Sequence, residues 1–264
     1  MESISFDGMA ELYDETRVFD QGCFNAALDW LTNMFPPERF RNIIYPGVGT
    51  GRVAIPLAEK GYRIMGVDIS AEMLLLLERK LGHSRQPLNI SLQQADATEL
   101  PFRTATFDMA VAVHLFYFIS RWQKAVREML RVLKNDGPLV LMHTGSGAEI
   151  PFLNVRYREL CTEQGYSIHN ISVASNRKVV DYLGGLGYRA EWTRDRWRWS
   201  SYIRLDKALD YIKSRAYSFT ISVPDEVHSE ALNRLESEVR QQFGSLKVEV
   251  EVPNQIYLVV VSHR

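Results

Sequence analysis

Short apolar runs alternate with amphipathic stretches through the first half of the chain. The apolar runs predict strands at 41–46, 62–67, 89–94, 107–113 and 137–143. Between them, apolar residues recur at helical spacing and predict helices at 51–60, 70–81 and 121–134. Thr50 is a capping-type residue at the start of the first of these helices. Apolar strands that are separated by helices are typical of a parallel sheet covered on both faces. The pattern therefore predicts an α/β fold with the carboxyl ends of its strands along one edge.

The second half of the chain has a less regular pattern. Residues 178–186 predict a helix that ends at Gly187, and a strand is predicted from Tyr188 to about Ser200. Further helices are predicted at 203–217 and 224–243, and an apolar run at 256–262 predicts a last strand. We interpret two less regular segments as insertions that cap the ligand-binding edge, namely 145–175 and 201–245.

Composition indicates an intracellular enzyme with a small substrate. The 264 residues include 46% hydrophobic residues, enough for a sizeable core, and no apolar run approaches the length of a membrane span. Lys and Arg number 31 against 32 Asp and Glu, so no overall positive field attracts nucleic acid. The first residues lack a signal-peptide pattern, and Cys23 and Cys161 lack metal-type spacing. We therefore expect a cytoplasmic protein with free thiols, no membrane or nucleic-acid partner and no metal.

A glycine-rich turn follows the first predicted strand. Gly47, Gly49 and Gly51 come directly after the apolar residues 43–46, and a helical pattern follows them. Glycines let the backbone turn sharply and approach a ligand closely, and the following helix directs free N–H groups at that ligand. Asp68 ends the next strand, where an acidic side chain suits the diol of a ribose. This arrangement indicates a site for a nucleoside cofactor.

The spacing of the glycines distinguishes between cofactors. A dinucleotide site of the form Gly-x-Gly-x-x-Gly would need glycine at position 52, which is Arg52, so a nicotinamide-dependent oxidoreductase is disfavoured. The chain instead resembles the class I S-adenosylmethionine-dependent methyltransferases, in particular the small-molecule, type 11 members. The resemblance extends over residues 41–143 and rests on five segments in order: 43–51, 67–70, 95–102, 107–113 and 131–137.

The resemblance implies a fold and a division of the chain. The fold is a Rossmann-like seven-stranded sheet, mostly parallel with an antiparallel last strand, with helices on both faces and a capping insertion. The division is an N-terminal helical cap over 1–35, a cofactor-binding core over 36–144, and the remaining strands with the capping insertions over 145–264.

The resemblance also implies which residues bind S-adenosylmethionine. Asp68 would bind the ribose and Asp96 the adenine, although a helix cap and a turn are the structural alternatives for these two side chains. An N-terminal segment would cover the methionine end, with an amphipathic surface helix as the alternative. The implied cofactor-binding residues are Tyr13, Arg17, Gly47, Val48, Gly49, Gly51, Asp68, Ile69, Met73, Asp96, Ala97 and His114.

Methyl transfer from a sulfonium needs alignment more than it needs a catalytic side chain. Where the nucleophile must lose a proton, His114, His143 and Tyr117 are the candidates for a general base, and each could instead be structural. Residues 194–199 alternate arginine with tryptophan or aspartate, which indicates either an exposed basic face or a site for an anionic substrate.

One position departs from the family pattern. Tyr45 stands two residues before the first glycine, where the family usually has an acidic side chain that organises the cofactor's amino group. The main hypothesis is a methyltransferase acting on O, N or C of a small metabolite, which we expect to be aromatic or acidic. The alternative is a protein that binds S-adenosylmethionine in a regulatory or non-methylating role.

Overall fold

A computed structural model describes residues 14–15, 19–145, 149–168 and 174–263. The helices are α1 (Gln21–Met34), α2 (Ala54–Glu59), α3 (Ala71–Gly82), α4 (Trp122–Val132), α5 (Pro151–Glu163), α6 (Asn176–Gly185), α7 (Leu205–Lys213) and α8 (Asp225–Phe243). Short 3-10 helices lie at Leu115–Phe118 and Ser218–Thr220. The strands are β1 (Asn42–Pro46), β2 (Arg63–Asp68), β3 (Ile90–Gln94), β4 (Met109–Val113), β5 (Leu139–Thr144), β6 (Tyr188–Trp192), β7 (Trp197–Arg204) and β8 (Glu249–His263).

The strands form one sheet in the order β3-β2-β1-β4-β5-β8-β6, with β7 also paired to β8. Strands β1 to β5 are parallel, and β8 is antiparallel to β5, β6 and β7. The predicted Rossmann-like sheet with an antiparallel strand near its end is confirmed. The described sheet has eight strands rather than seven because β7 adds to it.

The strand predicted at 188–200 is interrupted. Its first part, β6, pairs with residues 259–263 of β8, and its continuation, β7, pairs with residues 249–256. The chain bends between them, where Asp195 has a φ of 67°. β8 is correspondingly much longer than the predicted 256–262, and its first residues continue beyond the end of β5 at Thr144 with β7 as their partner. The two strands thus form a ribbon that extends past the carboxyl edge of the sheet.

The helix predicted at 51–60 begins three residues late. It starts at Ala54 with Val53 at the N-cap position, and no side chain caps it. Thr50 does not cap this helix, because its hydroxyl donates to Asp14 Oδ1 at 2.6 Å. The predicted helix at 203–217 is also shorter, since residues 203–204 belong to β7 and Arg215 has a φ of 57°.

Three clusters of buried apolar side chains hold these layers together. One packs α1, α2 and α3 on one face of the sheet, and the second packs α4 and α6 on the other. On α4, for example, Ala125, Val126, Met129 and Val132 recur at helical spacing and are fully buried. The third cluster joins α5, α7 and α8 to the projecting ends of β7 and β8. This separate core lies beyond the carboxyl edge and contains most of the segments interpreted as capping insertions.

None of the helices in the described ranges is both long and apolar enough to cross a membrane. The longest, α8, carries charged side chains along its exposed face.

Candidate active site

The glycine turn connects β1 to α2 at the carboxyl edge of the sheet. Its glycines have positive φ angles of 70°, 54° and 81° at Gly47, Gly49 and Gly51. The N–H groups of Gly47 and Val48 donate to Val67 O at 2.7 and 3.0 Å, which ties the turn to the end of β2.

The last two glycines of the turn lie in different surroundings. A Cβ at Gly51 would lie 2.3 Å from Leu77 Cδ1, inside the core. A Cβ at Gly49 would meet nothing within 4 Å, because this glycine faces an open cleft. Gly51 therefore serves close packing between the turn and α3, whereas Gly49 leaves space for a ligand to approach the backbone.

Asp68 joins the glycine turn to the start of α3. Its Oδ2 accepts from Gly49 N at 2.8 Å, and its Oδ1 accepts from Ser70 N at 3.0 Å. The helix cap itself is Ser70, whose Oγ accepts from Met73 N at 3.1 Å. A carboxylate offers about four acceptor positions, so Asp68 can hold the turn and still accept from hydroxyl groups of a ligand.

A cleft opens at this edge, with about 640 Å³ of empty space when its open mouth is included. Its walls are mainly apolar, and the Asp68 carboxylate and the His114 imidazole are the titratable groups along it. The predicted residues that line it are Gly47, Gly49, Asp68, Ile69, Met73, Ala97 and His114. The lining residues that sequence reasoning missed are Val67, Ala95, Val113, Leu115, Phe118 and Ile119. The missed residues lie at the carboxyl ends of β2, β3 and β4 or just beyond them. That position along the predicted strands could have identified them from the sequence.

The other predicted cofactor-binding residues that the structure describes lie outside that lining. Val48 and Gly51 pack into the core beside it. Asp96 lies between two lining alanines, and its Oδ1 accepts from Thr98 N at 2.7 Å, which organises a turn. Tyr13 and Arg17 are not among the described residues.

His114 directly follows β4 and faces the cleft. It has a φ of 52°, so the chain turns there into the 3-10 helix. Its Nε2 lies 2.9 Å from Thr144 O and 3.1 Å from both Thr144 N and Thr144 Oγ1. Contact with the end of β5 fixes the orientation of the imidazole at the inner end of the cleft.

His143 lies directly behind His114. The two imidazole rings contact edge to face with centroids 4.9 Å apart, and His143 stacks on the Tyr257 ring at 4.7 Å. Burial lowers the pKa of His143 to about 4, so its imidazole is neutral near pH 7. Tyr117 also lies beside His114, with ring centroids 6.2 Å apart, and burial raises the pKa of its hydroxyl. The structure thus brings the three predicted general-base candidates together.

The outer side of the glycine turn contacts the N-terminal segment. Asp14 accepts from Thr50 and forms an ion pair with Lys80, which also donates to Thr50 O at 2.9 Å. The Arg52 guanidinium lies 4.3 Å above the Phe19 ring. These contacts attach Asp14 and Phe19 to the turn from the side of α3.

Tyr45 is buried in the core beneath the turn, with 3% of its surface exposed. Within the described part of the chain, no group of three or more His, Cys, Asp or Glu side chains is placed to hold a metal ion. The described lining of the cleft therefore offers backbone N–H groups, the Asp68 carboxylate, the His114 imidazole and apolar walls. These features fit a nucleoside with a ribose diol and a planar base.

Comparison with known proteins agrees with this geometry. The model of a methyltransferase domain family matches residues 44–141. The chain is 30% identical over 179 residues to a demethylmenaquinone methyltransferase of Renibacterium salmoninarum, which covers 67% of this chain and 72% of that protein. Several other curated relatives match over about half of their own length or less.

Solved structures share the fold. The YcgJ protein of Bacillus subtilis superposes with a TM-score of 0.60 at 18% identity, over 91% of this chain and 99% of that one. Phospholethanolamine N-methyltransferase 2 of Haemonchus contortus, in complex with phosphomonomethylethanolamine and S-adenosylhomocysteine, gives 0.55 at 17% identity over 97% and 57%. The ordered motifs, the sheet topology and these relatives lead to one conclusion: this chain belongs to the class I S-adenosylmethionine-dependent methyltransferases, and S-adenosylmethionine is its cofactor.

Proposed function

We propose that this methyltransferase transfers a methyl group to an O, N or C atom of a small-molecule acceptor by in-line displacement. The observation that carries the proposal is the cleft at the carboxyl edge, which runs from the glycine turn to His114. Beyond His114, half-buried polar and aromatic groups lie in contact: Tyr117 of the 3-10 helix, His143 near the end of β5 and Tyr257 of β8.

The cleft residues would hold the cofactor in a defined order. The Asp68 carboxylate would accept from the ribose hydroxyls, and Ile69, Met73 and Ala97 would cover the faces of the adenine. Asp96 would direct its turn toward the adenine edge, while the bare Cα of Gly49 admits the cofactor to the backbone. Tyr13 and Arg17 stay candidates for covering the methionine end.

The bound cofactor supplies an electrophilic methyl group on a sulfonium. The protein's contribution is alignment, and placing two reactants in line can contribute about 7–11 kcal/mol through effective molarity. The apolar walls of the cleft would exclude water from the charged reactants.

Proton removal would fall first to His114, which lines the cleft. His143 contacts His114 rather than the cleft, and its low pKa makes it a weak base that is already unprotonated at neutral pH. Tyr117 keeps its proton because burial raises the pKa of its hydroxyl, so it would donate a hydrogen bond rather than accept a proton.

The relatives support a broad choice of nucleophile. One is named for a demethylmenaquinone acceptor, and the fold neighbour from Haemonchus contortus is named for an N-methylation. The described surfaces include no large basic face along the cleft, which supports a small acceptor rather than nucleic acid.

The direct test is transfer of isotope-labelled methyl from S-adenosylmethionine to a panel of small hydroxylated, amine and enol compounds. We expect labelled product and S-adenosylhomocysteine in equal amounts. Asp68→Ala should weaken S-adenosylhomocysteine binding in calorimetry by about 1–3 kcal/mol, because a charged acceptor is lost. Asp136→Ala, at an exposed turn, is the control and should leave affinity unchanged. Cofactor binding without transfer to any compound would support the non-methylating alternative instead.

A further inference from the structure

Two buried polar atoms have no hydrogen-bond partner among the described residues, and they lie close together in the fold. They are Nδ1 of His143 on β5 and Oε1 of Gln255 on β8. His143 is directly opposite Tyr257 in the register of these antiparallel strands. Gln255 and Tyr257 are two residues apart on β8, so their side chains project from the same face of the sheet. Both orphaned atoms therefore face the same side, at the carboxyl edge.

The surroundings of these atoms are flat and aromatic. The His143 ring stacks on Tyr257 with an interplanar angle of 16°, and Trp192 lies beside Tyr257 at 5.8 Å between centroids. His114 connects this group to the cofactor cleft, since it contacts the His143 ring and also lines the cleft. A molecule placed against these rings would lie next to the reactive end of the cleft.

The groups around His143 and Tyr257 carry little net charge. Burial keeps the His143 imidazole uncharged, and burial raises the pKa of the Tyr257 hydroxyl. The Tyr117 and Tyr257 hydroxyls already have a partner in Asn176, through its backbone and its side chain respectively. Two arginines border this aromatic surface. The Arg194 guanidinium lies 4.2 Å above the Trp192 ring and 5.9 Å from Tyr257. Arg198, which forms an ion pair with Asp195, is directly opposite Gln255 in the register of β7 and β8.

Buried polar groups are nearly always paired in folded proteins, so two orphans on one face need an explanation. A glutamine Oε1 can only accept, and it is satisfied only by an O–H or N–H donor. The neutral imidazole nitrogen can accept from or donate to the same ligand. The stacked rings beside them favour a planar partner, because aromatic faces pack well against other rings.

We propose that His143, Tyr257 and Gln255 form an acceptor-recognition subsite beyond His114, which binds a planar conjugated molecule through a hydroxyl or N–H group. This inference rests on the proposed function and makes it narrower, since it names the chemical class of the acceptor. Gln255 is the specificity-determining residue, and it selects acceptors that carry a hydrogen-bond donor. The Arg194 guanidinium, beside Trp192 and Tyr257, would favour a negatively charged substituent on the bound molecule.

The test uses two probes that differ only in the donor: 6-fluoro-2-naphthol and its methyl ether, 6-fluoro-2-methoxynaphthalene. Fluorine NMR would measure the affinity of each for the protein saturated with S-adenosylhomocysteine. We expect the naphthol to bind about fivefold more tightly than the ether, the effect of one added hydrogen bond. Gln255→Leu should bring this ratio to about one. Gln242→Leu, the same change at an exposed glutamine of α8, should leave the ratio intact.

A second variant separates the nitrogen of His143 from its packing. His143→Phe keeps a ring against Tyr257 and removes both ring nitrogens, so the ether should bind as before while the naphthol binds more weakly. Calorimetry with S-adenosylhomocysteine is run on every variant, and unchanged affinity shows that the cofactor cleft is intact.

The outcomes are distinct. Three results would each overturn the subsite: equal affinity for the two probes, a ratio that survives Gln255→Leu, or no binding of either probe. Intact binding of S-adenosylhomocysteine together with methyl transfer to a non-planar acceptor would overturn the subsite alone. Failure to bind S-adenosylhomocysteine at all would instead count against the proposed function.

Discussion

Replacing Gly51 with alanine should destabilise the protein far more than the same change at Gly49. Both glycines have positive φ, and placing an L residue there costs about 1–2 kcal/mol. At Gly51 the new methyl group would also lie 2.3 Å from Leu77 Cδ1, and Leu77 is fully buried. Overpacking of this kind costs about 1–3 kcal/mol, so the total at Gly51 is about 2–5 kcal/mol. At Gly49 the methyl group meets open space.

The assay is urea unfolding followed by circular dichroism, with thermal unfolding as a second measurement. For a chain of this size, the Gly51 variant should lose roughly 5–15 °C in Tm. Gly49→Ala should lose about 1–2 kcal/mol and bind S-adenosylhomocysteine much more weakly, because its methyl group enters the cleft. A double-mutant cycle with Leu77→Ala should recover at least about 1 kcal/mol, since the smaller side chain leaves room. Equal destabilisation by the two alanines, or no coupling to Leu77, would refute this account of the turn.

Two further predictions concern stability. The pKa of His143 falls from 6.5 to about 4 on folding, so the unfolded chain binds more protons than the folded chain between these pH values. The free energy of unfolding should therefore drop by roughly 2–3 kcal/mol as the pH falls from about 6.5 to 4. His143→Phe should flatten that part of the stability–pH curve. His83→Phe, at an exposed site, is the control and should leave the curve unchanged. An unchanged slope in the His143 variant would mean that His143 is not the group responsible. Asp108→Ala should cost about 2–3 kcal/mol in urea unfolding, because Asp108 Oδ2 accepts from both nitrogens of Asn42 at 2.8 and 3.0 Å and anchors the start of β1. Asp136→Ala is its exposed control, and a similar loss there would contradict the reasoning.

The parallel half of the fold followed from local patterns. Buried parallel strands are apolar along most of their length, so β1, β2, β4 and β5 were visible as runs. β3 alternates apolar and polar residues because it lies at the edge of the sheet, and the predicted bounds of all five strands are within two residues of the observed ones. The antiparallel course of β8 came from the family resemblance. The bend between β6 and β7 was missed because apolar and polar residues keep alternating on both sides of it. Alternation reports which face is buried and carries no information about the length of the partner strand.

The site was predictable where it depends on backbone chemistry and less so where it depends on distant contacts. The glycine spacing and Asp68 identified the cleft, because close backbone approach and a terminal carboxylate leave a signature in the sequence. Thr50 was misread as a helix cap since its partner, Asp14, is 36 residues away. Leu115 and Phe118 were missed as cleft residues because a left-handed turn at His114 redirects an apolar stretch that resembles core.

The position of β8 in the sheet has a consequence for how the chain is made. β5 takes β8 as its outer neighbour, and about 100 residues separate the two strands along the chain. A ribosome adding roughly 5–20 residues per second leaves the edge of β5 open for about 5–20 s. That edge carries Leu139, Val140 and Leu141, and an unpaired apolar edge can pair with another nascent chain. Dense polysomes or slow translation of the α5–α8 region should therefore favour aggregation, even though the finished fold covers this strand completely.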